Sequence, residues 1–209
     1  MPLTFKLNPE SPDASLLKQA AAIVKKGGII IYPTETVYGL GALYSNEEAL
    51  KRVFAVKGRD ELKPVLVLIR EPAELHSLAS DVSGQALALA RNFWPGPLTL
   101  IFKAAAHLSP LLTGIDNTIG CRVSSSLAAQ RLLDFLPEPL TSTSANLSGG
   151  INPSTIEEIP EELRNAVDVI LDAGATHGGL PSTVIDVTRL PFTVVREGAL
   201  PSQQVLSSR

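Results

Sequence analysis

Helical and strand-like hydrophobic periods alternate along nearly the whole chain, and that alternation leaves few architectures open. Residues 13–26, DASLLKQAAAIVKK, place Leu16, Leu17, Ala20, Ala21 and Val24 on one helical stripe, with Ser11 or Asp13 as N-cap and Gly27-Gly28 as a stop. Ile29-Ile30-Ile31-Tyr32, halted by Pro33, then reads as a buried strand. Ser45 with Glu48 makes a capping box for a helix through about Val56. Another strand covers 65–69, helical patterns cover 72–79 and 83–93, and strands follow at 98–102 and 118–123. A helix over 127–136 precedes Leu140, which leads into a hydroxyl-rich turn. A weaker helix at 157–166 and strands at 169–171, 183–187 and 193–195 complete the pattern. The last two strands are joined by Thr188-Arg189-Leu190-Pro191, a hairpin-length link that pairs them antiparallel. The expectation is an α/β fold: a twisted sheet of mixed parallel and antiparallel strands with flanking helices. Residues 1–200 read as a single domain, and 201–209 as a short, loosely docked C-terminal tail.

Composition narrows the function classes. With 209 residues, 44% hydrophobic and 19% charged, the chain can bury a sizeable core and is no disordered polyelectrolyte. One cysteine, Cys121, excludes a disulfide framework and a cysteine-cluster metal site. A pI near 5.6 argues against a coat of positive charge for nonspecific nucleic-acid binding. The opening MPLTFKLNPESPD lacks the basic-then-apolar pattern of a secretory signal, and no apolar run reaches the roughly 18 residues that would span a bilayer. A soluble, cytoplasmic protein with no membrane partner is expected.

Common mechanistic signatures are missing. There is no G-x-x-x-x-G-K-[ST] loop, no dinucleotide fingerprint after Gly39-Leu40-Gly41, no G-x-S-x-G elbow and no H-E-x-x-H. His76, His107 and His177 are scattered, and no metal site made of protein side chains is expected. Cys121, inside a strand-like run with no histidine near it in sequence, reads as a buried inert thiol.

Four less generic stretches carry polar chemistry. Tyr32-Pro33-Thr34-Glu35-Thr36-Val37-Tyr38-Gly39-Leu40-Gly41 sets two hydroxyls, a carboxylate and two glycines directly after a buried strand, where α/β proteins bind ligands; an ordinary turn is the plainer reading. Lys57-Gly58-Arg59, with Lys63 soon after, is either a solvated helix end or a polyphosphate clamp. Leu140 to Gly150 holds five hydroxyl side chains and one amide within residues 141–148, which suits either a surface loop or a site that a ligand's polar groups enter. Finally, Arg122 and Arg196 lie in apolar strands, and Ser182 begins one. A buried arginine left unpaired costs several kcal/mol, so each arginine requires an anionic partner, whether a carboxylate side chain or a ligand.

Taken together and in this order, these stretches resemble the YrdC-like threonylcarbamoyl-AMP synthase family in its short, single-domain form. The resemblance runs from K-K-G-G-I-I-I-Y-P-T-E-T-V-Y-G-L-G to V-V-R-E-G. It includes the pairing of K-x-R, here Lys57-Gly58-Arg59, with S-x-N, here Ser144-Ala145-Asn146. W-P-G-P-L-T at 94–99, S-A-N-L-S-G at 144–149 and S-T-V-I-D at 182–186 also match. The resemblance implies a central concave basic cavity. It further implies that L-threonine, bicarbonate or CO2, and ATP join into threonylcarbamoyl-AMP with release of pyrophosphate, for modification of tRNA position 37. That is nucleotidyl transfer needing no protein nucleophile, with Mg²⁺ accompanying ATP, and tRNA and downstream threonylcarbamoyl-transferase proteins as partners. Matched position by position, Lys57, Arg59, Thr118, Ser144, Asn146, Asn152 and Arg196 fall on the ATP side. Thr34, Lys63, Arg122, Ser142 and Ser182 fall on the threonine side. Lys57, Arg59, Ser144 and Asn146 are the candidates closest to the chemistry, and no general base is identified.

Two departures from the family pattern stand out. Longer members carry a histidine near what is Leu68 here, and Asn152 replaces a serine they often have. Two other readings remain open: an RNA-binding module without catalysis, weakened by the acidic pI and 5% aromatic content, and a paralogue acting on a different carbamoyl compound.

Overall fold

The computed structural model describes residues 1–58, 64–176 and 179–207. Its strands are β1 (Leu3–Lys6), β2 (Ile30–Pro33), β3 (Tyr38–Gly41), β4 (Leu66–Leu68), β5 (Ala79–Asp81), β6 (Leu98–Ala104), β7 (Thr118–Arg122), β8 (Leu140–Ser144), β9 (Val169–Asp172), β10 (Thr183–Asp186) and β11 (Thr193–Arg196). The helices are α1 (Ala14–Lys25), α2 (Glu47–Lys57), α3 (Leu75–Leu78), α4 (Gly84–Phe93), α5 (Pro110–Thr113), α6 (Leu127–Asp134), α7 (Glu161–Ala166) and α8 (Ser202–Ser207). Among the described residues the strands form one mixed sheet in the order β1-β9-β2-β3-β8-β4-β7-β6-β10-β11, with β5 added beside β6. The expected α/β architecture is the one observed, including the antiparallel β10–β11 pair.

The two ends of the sheet are covered differently. Around β9, β2 and β3 both faces are packed: α1 and α6 supply Leu17, Ala20, Leu132 and Leu133 to one side, and α2 and α7 supply Ala49, Val53 and Leu163 to the other. Around β6, β7 and β10 the helices gather on one face. There Leu98, Leu100, Phe102, Ile119, Cys121 and Ile185 pack against Leu75, Leu89, Ala90 and Leu112. Side chains alternate along a strand, so the intervening residues Thr99, Ile101, Thr118, Gly120, Arg122 and Val184 all point to the opposite face. That second face borders a cavity instead of a helix layer.

Several boundaries differ from expectation for local reasons. The N-cap of α2 is Asn46, whose Oδ1 accepts from the Ala49 N–H at 3.0 Å, whereas the Ser45 hydroxyl turns away to donate to Glu138 at 2.6 Å. The helical stretch at 72–79 is a 3-10 turn over Pro72–Glu74 followed by the single-turn α3, and the chain then straightens into β5. The helix foreseen at 157–166 starts only after Pro160, which sets its first turn. The hydroxyl-rich turn after Leu140 is strand β8, paired with both β3 and β4. The expected loose tail is helix α8, begun by Glu197 accepting from Ser202 and anchored by the fully buried Val205.

Strand β3 was hidden by its glycines. It runs antiparallel to β2 and β8, and a Cβ at Gly41 would stand 1.9 Å from the Thr141 carbonyl oxygen, so only glycine lets the strands approach there. Gly41→Ala is therefore expected to destabilise the protein by about 2–3 kcal/mol, through forced separation of β3 from β8. Gly84→Ala, at the first position of α4 with open space around it, should instead be neutral or stabilising by up to about 1 kcal/mol. Urea unfolding of the two variants against the parent chain checks both signs.

Candidate functional site

The cavity has a volume of about 310 Å³, within the range of small-molecule sites. Its walls come from the turn after β2, the second face of β7, β6 and β10, the end of β8, and β11. Of the residues singled out from the sequence, Thr34, Thr118, Arg122, Ser142, Ser144, Asn152, Ser182 and Arg196 line it. Arg59 and Lys63 lie outside the described residues. Arg122 and Arg196 are the charged side chains among its described lining residues.

Arg122 is 3% exposed in the middle of the sheet, opposite Leu68 of β4. Its NH1 donates to Thr36 Oγ1 at 3.2 Å and stands 3.5 Å from Glu35 Oε1. The Arg122 Nε is buried without a hydrogen-bond partner among the described residues. A guanidinium has five N–H donors, so this one retains donors for a ligand.

The turn that receives Arg122 is ordered by its own hydroxyls. Thr34 Oγ1 donates to the Val37 carbonyl at 2.6 Å and accepts the N–H groups of Thr36 and Val37 at 3.2 Å each. Thr36 Oγ1 lies 2.9 Å from Thr34 Oγ1. Because the Thr34 proton already goes to Val37, the proton between the two threonines belongs to Thr36. The chain of donors therefore runs Arg122, Thr36, Thr34, Val37; Thr34 is fully used within the turn, and Thr36, which accepts only from Arg122 among the described residues, keeps a lone pair for a ligand.

At the other end, Arg196 Nε and NH2 donate to the Ser182 carbonyl at 3.1 and 2.8 Å, and NH2 reaches Ser182 Oγ at 3.2 Å. Ser182 Oγ is 2.8 Å from Thr99 Oγ1, and both residues are 2% exposed. One of the two protons bridges the pair; the other remains for a ligand. Desolvation, and secondarily the charge of Arg122, hold Arg196 below the ordinary arginine value. Tyr32 lies under the cavity floor, its hydroxyl donating to the Thr141 carbonyl at 3.3 Å; burial pushes its pKa well above the usual phenol range. A Cβ at Gly39 would come within 3.2 Å of this ring and 3.3 Å of Ser142 Oγ, so the glycine keeps the floor open.

Lys57 and Asn146 depart from their expected place. Neither lines the cavity. Lys57 is 2% exposed, and its ammonium donates to the carbonyl oxygens of Ser144 and Asn146 and to Asn146 Oδ1, the latter two at 2.8 and 3.1 Å. Ser144 Oγ donates to the same Oδ1 at 2.6 Å, and Asn146 Nδ2 donates to the Gly150 carbonyl at 2.7 Å. The lysine thus ties the end of α2 to the exit of β8. Leu68 is fully buried among Leu140 and the α6 leucines and takes no part in the lining. Cys121 faces the core, and burial pushes its thiol pKa far up, which agrees with an inert side chain. Thr36 and Thr99 were not singled out from the sequence as site residues. Thr99 was findable as a lone polar residue at every-second spacing in the apolar run of β6.

A family model for Sua5, YciO and YrdC, described as "Telomere recombination", matches residues 22–198. The chain belongs to this family. It is 35% identical over 189 residues to a threonylcarbamoyl-AMP synthase of Pyrococcus abyssi, covering 90% of this chain and 56% of that protein. It is 38% identical over 196 residues to the uncharacterised YciO of Escherichia coli, covering 93% and 94%. Among solved structures it superposes on P. abyssi Sua5 complexed with L-threonine with TM-score 0.94 at 33% identity, covering 99% of this chain and 60% of that one. It superposes on E. coli YciO with TM-score 0.87 at 36% identity, covering 95% and 97%. The chain therefore spans less than two thirds of the P. abyssi synthase, but nearly all of YciO and of a threonylcarbamoyl-AMP synthase of Vibrio vulnificus, to which it is 36% identical over 174 residues, covering 82% of this chain and 94% of that one.

If Lys57 holds the fold together, Lys57→Met should destabilise the ligand-free protein by about 2 kcal/mol, because two main-chain carbonyls lose a buried donor. A lysine serving only a phosphate would leave ligand-free stability unchanged. Urea unfolding without nucleotide separates the two.

Proposed function

We propose that the protein is a threonylcarbamoyl-AMP synthase, a nucleotidyltransferase that makes threonylcarbamoyladenylate from L-threonine, bicarbonate or CO2, and Mg·ATP. The observation that carries the reading is Arg122: a buried guanidinium with unmatched donors at the wall of the cavity, beside the Thr36 hydroxyl, which can only accept. An amino acid fits this arrangement, its carboxylate on Arg122 and its amino group toward Thr36. The P. abyssi relative's complex with L-threonine supports the same choice.

In the reaction the threonine ammonium first loses a proton to water; the free amine then adds to CO2, and a second N–H proton leaves to water as the N–C bond forms, giving the carbamate. A carbamate oxygen then attacks the α-phosphorus of ATP; the new O–P bond forms as the bond to the pyrophosphate oxygen breaks. Arg196, Ser144, Asn152 and Thr118 are the groups available to the phosphates and nucleotide, Ser142 and Ser182 with its Thr99 partner stay on the threonine side, and Arg59 and Lys63 are assigned to nucleotide and threonine by position alone. Catalysis then rests on placing the carbamate in line and offsetting phosphate charge. The Mg²⁺ of this proposal is the one that accompanies ATP on its phosphates. The adenylate would serve tRNA modification in the cytoplasm through downstream transferases. No helix among the described residues is long and apolar enough to cross a membrane.

A second reading is a paralogue acting on another carbamoyl compound; the Lys57 ammonium, already donating to the oxygens of Ser144 and Asn146, is the observation on its side. Pyrophosphate release from ATP decides between them. It should depend on both threonine and bicarbonate, and release with carbamoyl phosphate in their absence would select the second reading. Under the first, Arg122→Ala should raise the KM for threonine about 10- to 100-fold with little change in the KM for ATP. A change confined to ATP would reverse the assignment of the cavity's two ends.

A further inference from the structure

Glu35 has no task in the reaction above, yet it is the acid that the fold brings to Arg122. Its Oε1 stands 3.5 Å from the Arg122 guanidinium, too far for a strong hydrogen bond, and is buried with no hydrogen-bond partner among the described residues. Its Oε2 accepts from the Ser124 hydroxyl, and Ser124 Oγ in turn accepts the Ser126 N–H at 3.2 Å, which tethers the carboxylate to the start of α6. Glu35 fronts a second hollow that shares Thr34 with the first, and it is not part of the first cavity's lining. Whatever it does to a ligand in the first cavity, it does through Arg122 and through its field.

We infer that Glu35 is a positioning residue that sets the charge selectivity of the amino-acid end, favouring a zwitterion over a plain anion. The inference rests on the amino-acid reading of the cavity. A carboxylate that approaches Arg122 must share the guanidinium with Glu35 and feels its repulsion. A zwitterion offsets that repulsion, because its ammonium is directed to Thr36, the residue next to Glu35 in the turn. With the Glu35 side chain 13% exposed and that of Arg122 3% exposed, water screens these charges weakly. The incomplete contact matters as well: a tight Glu35–Arg122 pair would compete fully with any ligand, whereas a 3.5 Å contact orients the guanidinium and leaves its donors open.

The test is calorimetric binding by the full chain of two ligands with one carbon skeleton: L-threonine, and the dihydroxy acid in which a hydroxyl replaces its amino group. The parent protein should prefer threonine. Glu35→Gln, which keeps the shape and the Ser124 contact, should lower that preference about tenfold, mainly by tighter binding of the hydroxy acid. Glu35→Asp, which keeps the charge, should stay close to the parent ratio. Ser124→Ala, which loosens the carboxylate without removing it, should shift the ratio in the same direction by less. It also serves as the second probe should Glu35→Gln fold poorly. A Glu35→Gln ratio equal to the parent's, or an Asp variant that behaves like Gln, overturns the inference while leaving the amino-acid reading intact. Failure of the parent to bind threonine overturns that reading and this inference together.

Discussion

The site depends on keeping one positive charge dry. Arg122 projects from β7 into the middle of the sheet, where an ion without partners would cost several kcal/mol. The chain answers with the turn between β2 and β3: Thr36 accepts from the guanidinium, Glu35 approaches it, and Ser124, two residues beyond the arginine, holds Glu35. The compensation is partial, since Nε and Glu35 Oε1 both lack hydrogen-bond partners among the described residues. A fully matched ion pair would leave no donor over, whereas this incomplete one holds the guanidinium in place with donors to spare. Its geometry ties the turn, β7 and the start of α6 into a single unit.

The cavity that exposes this group arises from uneven coverage of one sheet. Where helices pack on both faces, around β2 and β9, strands can be uniformly apolar, and Ile29-Ile30-Ile31 is. Where helices pack on one face only, around β6 and β7, every second residue is released from packing and can be threonine, glycine or arginine. Helix α2 joins the two regimes: Leu50 belongs to the core beneath β6 and β7, while Ala49 and Val53 belong to the core of α7. Its last residue, Lys57, then reaches across to the carbonyls at the exit of β8, with Gly58 in the left-handed conformation ending the helix. The position of the S-A-N segment at the cavity's edge is thus set by a helix that the cavity never touches.

This division explains what could be read from the sequence. Strands with a strong apolar signal, β2, β4, β6, β7, β9 and β10, were legible, as was the antiparallel closing pair. Strands β3 and β8 were not: glycine and serine have low strand propensity, and what places them in the sheet is contact with each other's backbone across about a hundred residues of chain. The cavity's cationic residues were legible as charges out of place in apolar runs. The direction of Lys57 was not, because a lysine in the last turn of a helix normally reads as a favourable solvated end, and its acceptors lie 87 and 89 positions away. Thr36 and Glu35 were visible as residues but not as Arg122's partners, for the same reason of sequence distance.

Hydroxyl groups give the cavity its polarity, since each has a single proton and the fold decides where that proton goes. Thr34 gives its own to Val37, Thr36 to Thr34, and Ser144 to Asn146; Thr34 is filled by the bonds it accepts within the turn, and Thr36 and Ser144 are left as acceptors. The Ser182 and Thr99 pair, which accepts from Arg196, has one proton beyond the one it shares. Donors therefore gather at Arg122, Arg196 and Ser182/Thr99, and acceptors at the turn after β2 and the end of β8. A ligand with anionic groups and one N–H donor has a single favourable orientation in such a field. For the reaction proposed above, a carbamate held in that orientation would have its oxygen placed by the walls of the cavity, which is where the contribution of this chain to such a step would lie.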